Sequence, residues 1–184
     1  MEIHSQFHIV FATLYDVANS LWDFIIETSY ATSVLVTCEP VNFFHDRLIY
    51  SHGVNDDNGT DLLRIMGMFI EDDRIVLTLT KIAHELFPIP PGQARTHGYG
   101  WLVFERVTDT IIRVRHSDLH LAPMTSHGVE TLDEMGHLFG IPRRFGETSE
   151  CFLERIHTAA ESTYLEKYPP WIRRFQQYVS QRPG

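Results

Sequence analysis

Cysteine is scarce in this chain: only Cys38 and Cys151 occur, far apart and in no CxxC pattern. Two such residues cannot form the disulfide framework of a small secreted scaffold, and neither has a neighbour that marks it as a nucleophile. Long apolar runs are also missing. No stretch approaches the roughly 18 uninterrupted apolar residues of a membrane span. The start, Met1-Glu2-Ile3-His4, has no basic n-region, and the apolar run Phe7–Leu14 is interrupted by His8 and followed by Asp16. A secretory leader is therefore not expected, and a reducing cytoplasmic compartment is. Positive charge is in deficit, with 15 Lys and Arg against 24 Asp and Glu, a formal net charge of −9. Such a surface repels phosphate backbones, which argues against general nucleic-acid binding.

Catalytic signatures are absent as well. There is no GxGxxG, no GxxxxGK[ST] and no GxSxG, so neither a phosphate cradle nor a nucleophile elbow is present. His84-Glu85 begins like a zinc-protease helix, but Pro88 stands where the second histidine belongs. No catalytic residue, metal or cofactor is expected on these grounds.

What is present is ordinary globular composition, 43% hydrophobic and 21% charged over 184 residues. At this length a folded chain buries roughly 70% of the surface that the unfolded chain exposes, enough for one unstapled core. A single domain over residues 1–184 is expected, with 169–184 as a C-terminal helical extension.

The pattern of elements begins with a strand over Phe7–Ala12. Thr13 then caps a helix whose apolar face is Val17, Leu21, Phe24 and Ile25, at spacings of three and four. Strands follow at Ser33–Val41, Arg47–Val54, Leu62–Ile70, Arg74–Ala83, Tyr99–Val107 and Thr110–Leu121. Between them lie turns at Asn55–Gly59, Glu71–Asp73 and Thr108–Asp109, and a proline-rich loop, Phe87–Gly92. Thr131 and Glu134 have capping-box spacing, which predicts a short helix ending near Gly140. A long helix is expected from Ser149 to Tyr168. Pro169-Pro170 is expected to end or kink it, and Trp171–Gln181 to resume it. The fold class is α+β: a curved antiparallel sheet gripping a long C-terminal helix, with short helices between strands.

Alternation along Ile112–His120 places Ile112, Val114, His116, Asp118 and His120 on one strand face. A His-Asp-His row suits a polar cavity lining or, with a further ligand from elsewhere, a metal. It also suits solvated histidines, since Leu119 and Leu121 lie on the opposite face. Glu105 shares its alternation with Trp101 and Val103, which fits an inward carboxylate with Arg64 or Arg113 as partner, or a residue beyond the apolar zone near the turn. The tail, Trp171-Ile172-Arg173-Arg174-Phe175, is basic and aromatic. It reads as an amphipathic helix with solvated arginines or as a peripheral membrane or protein contact.

The stretches Asp72–Leu77, Glu85-Leu86-Phe87-Pro88, Gly100–Glu105 and Thr131–Gly140 resemble START-related proteins of oomycete type. With the element order, they resemble the START-like helix-grip superfamily of polyketide cyclases and lipid-transfer proteins, from about Phe7 to Tyr168. The resemblance implies a sheet wrapped round the last helix, enclosing a hydrophobic tunnel for a lipid or similar ligand. The chain is shorter than most START lipid-transfer domains and nearer the bacterial cyclase-type members. Candidate polar groups for such a cavity are Arg64, Glu105, His116 and His120; candidate wall residues are Met66, Met68, Trp101 and Phe104. Two other functions fit the same residues. One is a cyclase- or hydratase-like enzyme with His116 or His120 as acid/base and Glu105 as orienter. The other is a protein-interaction module docking through Trp171, Phe175 and Tyr178.

Overall fold

The computed structural model describes residues 2–27, 38–55, 60–82 and 87–181. The expected turn at residues 56–59, the first part of the strand expected from Ser33 and the segment 83–86 lie outside them. Ten strands and three helices follow in the order β1 (Glu2–Val10), α1 (Leu14–Glu27), β2 (Cys38–His45), β3 (Leu48–Asn55), β4 (Thr60–Ile70), β5 (Arg74–Lys81), β6 (Ala94–Arg95), β7 (Gly98–Thr108), β8 (Ile111–His120), β9 (Met124–Thr125), β10 (Gly128–Val129), α2 (Leu132–Leu138) and α3 (Ser149–Gln181).

One sheet contains all ten strands. Its main run, β2-β3-β4-β5-β7-β8-β1, is antiparallel throughout, as the meander predicts. The three two-residue strands extend it from the start of β4. There β6 pairs in parallel, so the sheet is mixed rather than purely antiparallel. Pairs this short carry no alternation of their own, so tertiary contact alone decides them.

The helix boundaries follow local chemistry. Thr13 Oγ1 accepts the Asp16 N–H at 3.3 Å and opens α1. Thr131 and Glu134 form the full capping box at α2. Thr131→Ala should cost about 1 kcal/mol of stability, read as a lower denaturant midpoint at unchanged slope.

Helix α3 runs through both prolines to Gln181 rather than stopping at Tyr168. Each proline removes a backbone donor, so the second half needs support from packing. It has that support: Ile172, Phe175 and Tyr178 lie against the main core cluster, with the Phe175 and Tyr178 rings 5.5 and 5.3 Å from that of Phe24. Phe175 and Tyr178, two of the aromatics expected to meet a partner, are thus turned onto α1, while Arg173 and Arg174 stay exposed.

Helix α1 lays Val17, Leu21, Trp22, Phe24 and Ile25 on one face of the sheet, against Ile49, Met66, Leu77, Leu79 and Leu102. This face is the inner one. Among the described residues, no helix is long and apolar enough to cross a membrane.

Candidate functional site

Direct cross-strand partners share a face of the sheet, so the registers sort the inner face into rungs. The first is Ser51–Arg64–Lys81–Gly98–His120, across β3, β4, β5, β7 and β8. The second is Ile49–Met66–Leu79–Gly100–Asp118. Then come Met68–Leu77–Leu102–His116 and Ile70–Ile75–Phe104–Val114. One end of the inner face is therefore polar and grades into an apolar floor covered by α1.

Burial makes the polar end unusual. Arg64 is 2% exposed, Lys81 and Asp118 each 3%. Charges are left this deep only when paired and hydrogen-bonded. Lys81 Nζ donates to both Asp118 oxygens at 2.9 Å, and His120 Nε2 lies 3.1 Å from Asp118 Oδ2. Arg64 Nε donates to Ser51 Oγ at 2.7 Å. Burial alone would raise the Asp118 pKa, but the His120 hydrogen bond and the Lys81 charge outweigh it and hold the carboxyl well below the usual range.

The two glycines of β7 make this arrangement possible. Asp118 lies on β8 and Lys81 on β5, with β7 between them. A Cβ on Gly100 would come within 2.9 Å of Asp118 Oδ1 and of the Ser117 carbonyl. On Gly98, at φ +146, it would meet the Leu119 carbonyl at 2.0 Å. Side chains at these positions would close the lane that the carboxylate crosses. Tyr164 of α3 reaches the inner face at a more apolar rung, its hydroxyl 2.9 Å from His116 Nδ1 with the rings stacked.

Of the residues singled out in the sequence, Arg64, Met66, Met68, Phe104, His116 and His120 all sit on the inner face. Trp101 and Glu105 do not. Trp101 pairs with Thr78 and Ser117 on the outer face, 36% exposed and stacked on Tyr99. Glu105 is outward too, held by Arg113 at 2.6 Å and by Arg115. The reason is register: Leu102 and Phe104 take the inward positions, and odd-numbered β7 residues face away. Among the described residues, no three His, Cys, Asp or Glu side chains converge as a metal would need. In the His-Asp-His row it is the Lys81 ammonium that meets the carboxylate.

Sequence reasoning missed Lys81, Ser51 and Tyr164, and passed over Asp118 as a site residue. Lys81 was findable, because it ends the alternating row Ile75, Leu77, Leu79. A separate outer-face cluster was missed as well: buried Asp61 binds Arg95 and takes His52 Nε2 at 2.8 Å. Arg95 also bonds the Phe87 carbonyl, and the Tyr50 ring lies 5.9 Å from that of Phe87. This second cluster ties the proline-rich loop to the sheet.

A void of about 10 Å³ lies among Trp22, Ile25, Met66, Leu77, Leu79 and Leu102, close to the size of one water.

The sheet, the inward α1 and the long closing α3 have the START-like helix-grip fold. In particular, the crystal structure of human STARD10 matches with a TM-score of 0.58 at 5% identity, over 99% of this chain and 62% of that one. Human StAR-related lipid transfer protein 5 follows, with a TM-score of 0.48 at 17% identity over 86% of this chain and 74% of that one. The human StarD13 (DLC2) lipid transfer and protein localization domain has a TM-score of 0.47 at 12% identity over 83% and 74%. The fold expected from the sequence is therefore the fold observed, and the chain spans about three fifths of the STARD10 chain. These matches do not bear on the oomycete type. No protein-family model matches the sequence, and no curated protein is significantly similar to it.

Proposed function

We propose that this chain binds or carries a lipid or another apolar small molecule on the inner face of its sheet, in a cytoplasmic setting. The observation that carries the reading is the row of buried polar groups Ser51, Arg64 and Lys81, with half-buried His120 at its end, beside an apolar floor. Burial of an apolar ligand contributes about 25 cal/mol per Å², and a few polar groups at one end orient it. The START-like fold supports the same reading, since two of the matched structures are named for lipid transfer. The void beneath α1 holds no lipid as it stands, so the ligand enters by displacing a helix. Helix α3 is the candidate, because it meets the inner face through the His116–Tyr164 bond.

Native mass spectrometry of the gently purified chain, followed by lipid extraction, tests this. The expected result is a co-purified apolar ligand whose occupancy falls when Met66→Trp fills the floor. A chain that stays ligand-free and takes up none from added lipid would sink the reading. The Asp118–His120 contact at 3.1 Å favours a second use of the same interior, as a cyclase- or hydratase-like site. Asp118 rather than Glu105 would then orient the histidine.

A further inference from the structure

Helices α2 and α3 are joined by the turn Gly140–Thr148, and at its tip Phe145 is 109% exposed, the highest value among the exposed large apolar side chains. A scattered surface apolar residue needs no explanation, but this one is held out by a built support. Gly140 and Gly146 take positive φ, +68 and +73, on either side of it. The Arg144 backbone N–H donates to Glu147 Oε2 at 2.9 Å, and the Glu147 N–H returns to the Arg144 carbonyl at 3.1 Å. Arg155 grips both Glu147 oxygens at 3.0 and 2.8 Å. On the other side, Arg143 donates to Ser149 Oγ at 3.1 Å and its guanidinium lies over the Phe152 ring. The ring is thus displayed by a turn that has little freedom left to lose on binding.

We propose that Phe145 is a membrane anchor that inserts into the headgroup layer of a bilayer, with exposed Arg144 beside it at the phosphates. Two observations favour a bilayer over a protein groove. A stable protein interface buries a patch of many residues, yet no other large apolar side chain is exposed between Val129 and Leu153. A single ring next to a cationic side chain matches the interfacial zone, where aromatic rings and arginines settle at one depth. The chain's net charge of −9 opposes long-range attraction to an anionic membrane. The contact is therefore short-ranged and carried mainly by the ring. This inference rests on the lipid-binding reading, for which it supplies the place of encounter with the membrane.

The test is co-sedimentation of the full chain with phosphatidylcholine vesicles, with and without about one-fifth phosphatidylserine. Wild type is expected to partition onto both. Phe145→Ala should lower the partition coefficient about 10-fold or more, while Phe145→Trp retains it. Arg144→Ala should lower it about 5-fold, and only on the phosphatidylserine vesicles. An unchanged melting temperature of Phe145→Ala confirms that the fold is intact. Equal binding by wild type and Phe145→Ala overturns the proposal. So does a wild type that binds neither vesicle, an outcome that leaves Phe145 to a protein partner. Failure of the lipid-binding reading is scored separately, by the co-purified ligand: vesicle binding through Phe145 by a ligand-free chain leaves the anchor standing alone.

Discussion

Asp118→Asn is expected to lower the unfolding free energy by about 3–5 kcal/mol, because it leaves the Lys81 ammonium buried without its counter-charge. Denaturant titration at neutral pH measures the loss. Removing both charges should cost far less: Lys81→Met with Asp118→Leu is expected to recover most of the stability, since a well-packed apolar pair replaces an ion pair at little or no penalty. Failure of the double variant to recover would place the cost in packing over Gly98 and Gly100 rather than in charge.

The same carboxylate sets a pH dependence. Its pKa is lowered in the folded state by His120 and Lys81 against the opposing effect of burial. The folded chain therefore favours the ionised form more than the unfolded chain does. That contribution is fully present above the unfolded value of about 3.9. It is lost as pH falls through the lower folded value. The wild type should consequently lose stability more steeply than Asp118→Asn below about pH 4, and the gap between the two should narrow with acid. Glu134 and Glu147, also lowered, remain in both chains and cancel in the difference.

How far this site was legible depended on strand faces. On β8 the alternation put Ile112, Val114, His116, Asp118 and His120 on one face, although Leu119 and Leu121 opposite left its burial open, and on β4 Arg64, Met66 and Met68 shared one parity. Strand β7 was different, because Trp101 and Val103 on one parity are as apolar as Leu102 and Phe104 on the other. Hydrophobic alternation could not choose between them, and Trp101 and Phe104, of opposite parity, were both taken as wall residues. The alternate glycines Gly98 and Gly100 were the better signal, since positions without side chains mark a lane that a neighbouring strand's side chain must cross. Tyr164 was visible as part of an apolar helix face, but its partner His116 lies 48 residues away, and no local pattern encodes that pairing.

The end of α3 was read only in part, for a related reason: helix over 171–181 was expected, but so was a break or kink at the prolines. Proline chemistry is local and argues for a stop at Tyr168, whereas the packing that overrides it comes from α1. Phe24→Ala tests that balance. Phe24 is 1% exposed and sits against both Phe175 and Tyr178, while Tyr178 Oη donates to Glu27 at 2.5 Å. Truncating it should cost about 3–5 kcal/mol, a fall in melting temperature of about 6–20 °C for a chain of this size. Phe24→Ala and Phe175→Ala should combine with a coupling of about 0.5–3 kcal/mol, since each removes the other's partner. Deleting the chain beyond Tyr168 should destabilise at least as much as Phe24→Ala. A truncated chain that melts with the wild type would make the tail a separable extension. A matched loss would mean that the roughly three helical turns beyond the prolines are held by the core they help to close.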